Sequence, residues 1–170
     1  KSWDRAREAY QKLLMDEQTR STRKVQAVLG IARAHQAEKK PAEMLQAFQQ
    51  LPAAFKSTGT RSPAEASELG KYRTSLTSQL RQMAANQGKM KEQLPFAVAL
   101  YRVAQQIQEA EIVRLGIATE LGELYFTHGM LPEARAEFEQ VTASPIALNF
   151  HKEKAAARLR EIEERSRSTK

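Results

Sequence analysis

Four segments of the chain carry the same pair, a small or flexible residue followed four positions later by a ring: Ala6 and Tyr10, Met44 and Phe48, Ala97 and Tyr101, Ala134 and Phe138. Residues four apart lie on one face of an α-helix, so each pair sets a shallow notch beside a bulky plug. An apolar residue follows three positions on in each case (Leu13, Leu51, Ala104 and Val141) and lengthens the stripe. A stripe of this kind is buried only against a second helix, and the segments ahead of two of the pairs supply the complement. One holds Ala118, Leu121, Gly122 and Tyr125; the other holds Val28, Ile31, Ala32 and His35. A helical glycine costs roughly 1 kcal/mol relative to alanine. Gly122 is therefore expected where a neighbouring helix comes close, with Ala32 in the equivalent place.

The six prolines mark where helices begin, because a residue without an amide hydrogen is tolerated in the first helical turn and disruptive later. Ser62-Pro63-Ala64-Glu65 combines an N-cap serine, a proline at the first position and a glutamate placed for a capping box. Ser144-Pro145 repeats the serine-proline start. Pro41, Pro95 and Pro132 each precede an apolar stripe of helical period, while Pro52 sits where a helix runs out into a polar loop. Gly88 and Gly129 fall just past periodic runs, where a left-handed residue closes a helix. The reading is all-α, with about eight helices near 2–16, 20–38, 41–55, 63–87, 92–108, 111–127, 131–142 and 146–165, and no strand. Two joints, in "MDEQTRST" and "QQIQEAEI", are weakly marked, and the second is also compatible with an unbroken helix.

Leu121, Gly122, Tyr125, Ala134, Phe138 and Pro145, taken in that order, resemble the helix-turn-helix unit of the tetratricopeptide repeat family. The proline comes about one place early, and Ala118 stands where that unit favours tryptophan. "SWDRAREAYQKLL" resembles the second helix of a unit whose first is missing, and the segment 25–55 carries His35 for the tyrosine and Met44 for the alanine. The resemblance implies a single domain over 1–170, an α-solenoid of antiparallel hairpins wound as a right-handed superhelix. Its parts would be a partial unit 2–16, a unit 20–55, an enlarged unit 63–108, a unit 111–142 and a capping helix 146–165. Phe138 follows Tyr101 by 37 residues and Phe48 follows Tyr10 by 38, but Tyr101 follows Phe48 by 53. The excess falls in the loop 56–62 and in the helix 63–87, where Leu69, Tyr72, Leu76, Leu80 and Met83 keep helical period for roughly 30 Å or more. That length reads as an insertion in preference to a projecting docking helix. The ending "RSRSTK" reads as frayed. The opening "KSWDRAREAY" has neither a methionine nor an apolar signal core, and reads as a piece of a longer chain whose segment 2–16 packs on upstream repeats or on another chain.

Hydrophobic residues make up 41% and charged residues 28%, a balance that folds. No apolar run approaches the length that crosses a bilayer. The absence of cysteine removes disulfides, thiolate zinc sites and cysteine nucleophiles, and suits cytosol and bacterial periplasm alike. His35, His128 and His151 never share the spacing of a helical metal site. Glu120, Glu123, Glu133, Glu137 and Glu139, mixed with Arg135, read as a solvated face. No phosphate loop, dinucleotide fingerprint or nucleophile elbow is present. The expectation is no enzyme, no metal and no cofactor.

Binding remains. The resemblance implies an inner groove lined by the first helix of each unit, and the stripe beside the core stripe supplies its residues. That stripe holds Thr119, Glu123 and Phe126 in one unit, Leu29, Arg33 and Gln36 in another, and Gln79, Gln82 and Asn86 on the long helix. Partner contacts are thus assigned to Arg33, Gln36, Gln79, Gln82, Asn86, Glu123 and Phe126. An exposed Phe126 would anchor best, although phenylalanine beside Leu121, Leu124 and Tyr125 is more commonly buried. Relatives that grip a C-terminal carboxylate use clustered Lys, Asn and Arg, of which only Arg33 and Asn86 occur here, interrupted by Leu29; that role is set aside. The net charge is +7. Residues 151–170 hold seven Lys and Arg against four Glu, and the densest run, 20–40, holds Arg20, Arg23, Lys24, Arg33, Lys39 and Lys40 against Glu38 without interleaved aromatics. The reading is a protein-binding or peptide-binding scaffold within a larger complex. Two alternatives are an RNA-binding helical repeat using 20–40 and a bacterial envelope assembly factor of the tetratricopeptide lipoprotein type.

Overall fold

The computed structural model describes residues 2–56 and 62–168, and no strand occurs among the described residues. The chain forms two compact units, Lys1–Leu80 and Arg81–Lys170, divided inside a long helix. The first holds α1 (Ser2–Met15), α2 (Ser21–Ala37), α3 (Pro41–Phe48), α4 (Leu51–Phe55) and the beginning of α5 (Pro63–Gln87). The second holds the end of α5, a 3-10 turn at Lys91–Gln93, α6 (Leu94–Ile107), α7 (Glu111–Thr127), α8 (Leu131–Ala143) and α9 (Asn149–Ser168). Of the loop expected at 56–62, residues 57–61 lie outside the described residues, as do residues 169–170 of the C-terminal tail.

In the first unit α2 lies against α1, α3 and α4. Its stripe of Val28, Ile31 and Ala32 is buried with Met44, Phe48 and Leu51, and His35 is half-buried. Ala6, Tyr10 and Leu13 of α1 are half-buried, and the Tyr10 ring covers Gly30 of α2 so closely that a side chain there would collide with it. The helix expected over 41–55 is broken. Pro52 has no amide hydrogen to offer the Phe48 carbonyl, so the ladder stops and Pro52 instead sits in the first turn of α4, burying Leu51 and Phe55. Half of the expected capping box forms: the Glu65 amide donates to Ser62 Oγ at 3.2 Å, but the Glu65 carboxylate does not reach back, and its Oε1 is buried without a partner.

In the second unit α7 packs on α6, α8 and α9. Ala118, Leu121, Gly122 and Tyr125 face inward, and a Cβ at Gly122 would stand 2.6 Å from Cε1 of the fully buried Phe138. The bare α-carbon lets α7 and α8 nest. Gly88 departs from the left-handed role expected of it: among the described residues the only glycine with positive φ is Gly129, at 75°. Gly88 is needed for proximity, since a Cβ there would lie 2.5 Å from Leu124 Cδ1 and 3.0 Å from the Ala84 carbonyl oxygen. The serine-proline start at 144–145 is also absent. The chain turns through 145–148 and α9 begins at Asn149, while the buried Ser144 donates to Glu111 Oε1 at 3.4 Å. The uncertain joint after α6 is a turn, held by Arg114, whose guanidinium donates to the carbonyls of Gln108 and Glu109 at 3.1 Å each.

The α2–α3 and α7–α8 turns close alike. The Lys40 amide donates to the His35 carbonyl and the Met130 amide to the Tyr125 carbonyl, both at 2.9 Å. The residue between is left-handed in each, Lys39 at φ 57° and Gly129 at φ 75°. These pairs, together with Ala32 and Gly122, Met44 and Ala134, and Phe48 and Phe138, are all offset by ninety positions.

Gly122→Ala gains roughly 1 kcal/mol of helix propensity, but its Cβ meets a ring with no free volume, so a net loss of about 1–3 kcal/mol is expected in urea unfolding. Gly70→Ala, on α5 with nothing within 4 Å of the added carbon, is expected to gain up to about 1 kcal/mol in the same assay. Equal responses at the two sites would show that close approach does not explain Gly122.

Candidate protein-binding surface

Three of the five glutamates expected on a solvated face are drawn into contacts between helices. Glu137 is buried at 5% exposure and pairs with Arg102 at 2.5 Å. Glu120 receives Arg81 from the end of α5, with Nε to Oε2 at 3.0 Å and a second bond from Nη2 to Oε1. Glu123 receives Arg158 of α9 in a fork, Nε to Oε1 at 2.8 Å and Nη2 to Oε2 at 3.0 Å, with Lys154 Nζ at 3.7 Å. Glu120 and Glu123 stand on the polar face of α7 and Glu137 on that of α8, and Arg81 of α5, Arg158 of α9 and Arg102 of α6 each bring a cation to one of them.

Beside this row lies a shallow concavity lined by Ala85, Lys89, Tyr101, Glu120, Glu123 and Thr127. Burial, reinforced by the Glu120 charge, pushes the Tyr101 phenol up to about 12, so it stays protonated across ordinary pH.

The residues assigned to partner contacts divide into two sets. Arg33 and Gln36 on α2, and Gln79, Gln82 and Asn86 on α5, are exposed. Phe126 is only 7% exposed and lies between two guanidiniums of α9, Arg158 at 4.6 Å and Arg165 at 4.4 Å from its ring centre. Thr119 is buried, its hydroxyl donating to the Leu115 carbonyl at 3.0 Å. The structure therefore brings Glu123 and Phe126 together under α9. Arg158 escaped the sequence reading, although a signal exists: it stands three after Ala155 and four before Ile162, the two fully buried residues of α9, which places it on the inward stripe.

Charge divides unevenly between the units. Residues 1–80 hold fourteen Lys and Arg against eight Asp and Glu, net +6, whereas residues 81–170 hold thirteen against twelve, net +1. Within the basic run, Arg20, Arg23 and Lys24 gather at the beginning of α2, Arg33 stands about 15 Å further along the axis than Arg23, and Lys40 pairs with Glu38 at 3.1 Å. The run does not form one patch. Throughout its length α2 contains no acidic residue.

Among the described residues, no group of three or more His, Cys, Asp or Glu has a geometry to hold a metal, and no helix is long and apolar enough to cross a membrane. His128 Nε2 lies 2.7 Å from the Gly88 carbonyl and must donate to it. His151, in the first turn of α9, stacks on Phe150 with ring centres 3.8 Å apart, and its Nε2 comes within 3.2 Å of a Cβ placed at Gly116. Its Nδ1 is buried without a partner. Desolvation holds the ring below the ordinary histidine value of 6.5; Glu120 opposes this, while Arg81 and Lys154 reinforce it. Comparison with protein-family models, with curated proteins and with solved structures found no match.

Because the folded protein prefers neutral His151, this residue contributes stability that is complete above the unfolded value and lost as pH falls through it toward the lower folded value. Unfolding free energy is expected to drop more from about pH 7.5 to about pH 5 in the wild type than in His151→Gln. Parallel profiles for the two proteins would contradict the assignment.

Proposed function

We propose that the chain is a non-catalytic scaffold that binds a peptide or a partner protein. In this reading its hairpins stack as a tetratricopeptide-like solenoid, right-handed as that family's pattern implies. The supporting observation is the ninety-residue correspondence between α2–α3 and α7–α8, which share turn geometry, left-handed residue, notch and ring. Repeated hairpins of this kind bury one stripe in the hairpin and leave a second stripe on each first helix for other molecules. Here the exposed part of that stripe is rich in side-chain amides, Gln36, Gln79, Gln82 and Asn86. Each amide offers donors and an acceptor, the same complement that a peptide backbone presents. In the last hairpin α9 takes the place of a ligand on Glu123 and Phe126, which moves the open surface to α2 and α5.

A photo-crosslinking amino acid at Gln36 or Gln82 is expected to capture partner proteins in cells. The same group at Gln46 of α3 or Gln140 of α8, both exposed, is expected to capture none of them. Capture from the second helices alone would move the surface and overturn the assignment of Arg33, Gln36, Gln79, Gln82 and Asn86.

A further inference from the structure

Resting on the scaffold reading, we propose that the exposed face of α2 docks an extended acidic segment of the partner, with carboxylates about four or five residues apart. Arg23 and Arg33 are exposed and form no ion pair among the described residues. This contrasts with Arg7 of the same unit, which holds Glu38, and with Arg81, Arg102 and Arg158 of the second, which each hold a glutamate. No carboxylate on α2 itself competes for them, and the unit that carries them is the one with the surplus of positive charge. Ten residues of helix separate the two guanidinium stems by about 15 Å, a span that extended chain covers in four or five residues. Gln26 stands between them on the same side, and Gln36, about a turn past Arg33, lies further around the helix. The Gln26 amide nitrogen donates to Tyr72 Oη at 2.7 Å, which fixes the side chain and leaves its carbonyl oxygen to accept from a bound backbone amide.

Phosphodiester groups would also answer the positive charge, but they only accept hydrogen bonds, so RNA would have to turn a 2′-hydroxyl or base edge to each glutamine carbonyl, and no Phe, Tyr or Trp lies on α2 to stack its bases. Acidic polypeptide satisfies both the arginines and the amides. Since both arginines are solvent-exposed, the attraction is screened by salt and sets partner choice and association rate more than tight affinity.

The test uses the full chain and fluorescent peptides in which one uncharged frame carries a pair of Asp, Asn or Lys at varied spacing, with a single-stranded RNA as a fourth probe. Asp frames at the four- and five-residue spacings are expected to bind best, with Asn counterparts about tenfold weaker and the difference shrinking as salt rises. Arg23→Glu with Arg33→Glu, whose circular dichroism should match the wild type, is expected to reverse the preference toward Lys frames. Equal binding of Asp and Asn frames overturns the acidic partner while leaving a protein-binding scaffold in place. RNA that displaces every peptide overturns it in favour of nucleic acid. Failure of all frames to bind overturns it as well, and crosslinking at Gln36 then decides separately whether the scaffold reading stands.

Discussion

Two helices can nest only as closely as the atoms between them allow, and in this protein the limiting atoms are absent ones. At Gly122 the bare α-carbon admits the ring of Phe138, at Gly30 that of Tyr10, and at Gly88 the end of Leu124. Gly122 gives up helix propensity of about 1 kcal/mol, and full burial of the Phe138 ring it admits returns roughly 1.5–3 kcal/mol. The surrounding stripes then align without choice. Once Phe138 sits on Gly122, Leu121 and Tyr125 on one side and Ala134 and Val141 on the other are carried into the same interface.

Charge is organised by what that nesting covers. Where a third helix lies over the polar face of α7, the glutamates there are half-buried and each has drawn an arginine from a neighbour. A bidentate fork holds Arg158 on Glu123 and its guanidinium lies over the Phe126 ring, while Glu161 of α9 itself steadies it at 2.9 Å, so one residue ties α9 to α7 by two kinds of contact. Truncating one partner of such a pair strands a carboxylate in a poorly hydrated place, a larger loss than the pair's own contribution. Where no helix covers, as on α2, the arginines stay solvated and unpaired. Burial and not the unit makes the difference, since Arg7 in the first unit, half-buried beside Glu38, is paired as Arg158 is in the second.

Local signals carried most of the secondary structure. Pro41, Pro63, Pro95 and Pro132 stand at the helix starts assigned to them, Ser62 caps α5, and Gly129 closes α7. Pro52 and Pro145 were the exceptions. Pro52 opens a further short helix, and the chain turns around Pro145 while Ser144 bonds Glu111 instead of capping α9. Lys39 takes a left-handed conformation that nothing in its identity announces, and only its match to Gly129 at the same step of an equivalent turn makes sense of it. Of the surface, the exposed amides and Arg33 were legible as polar positions beside a core stripe. Glu137 and Phe126 were not, because their solvent or its absence is supplied by helices distant in sequence.

By itself the chain's order of residues determined that it is helical, where most helices begin, and which stripe each hairpin buries, since period, proline and glycine act through neighbours within a turn or two. Only the tertiary structure decided which polar residues are covered, which arginines are spent and whether Gly88 serves a turn or a contact. Those outcomes depend on electrostatics and excluded volume between segments dozens of residues apart, and no local pattern encodes what will come to lie on top.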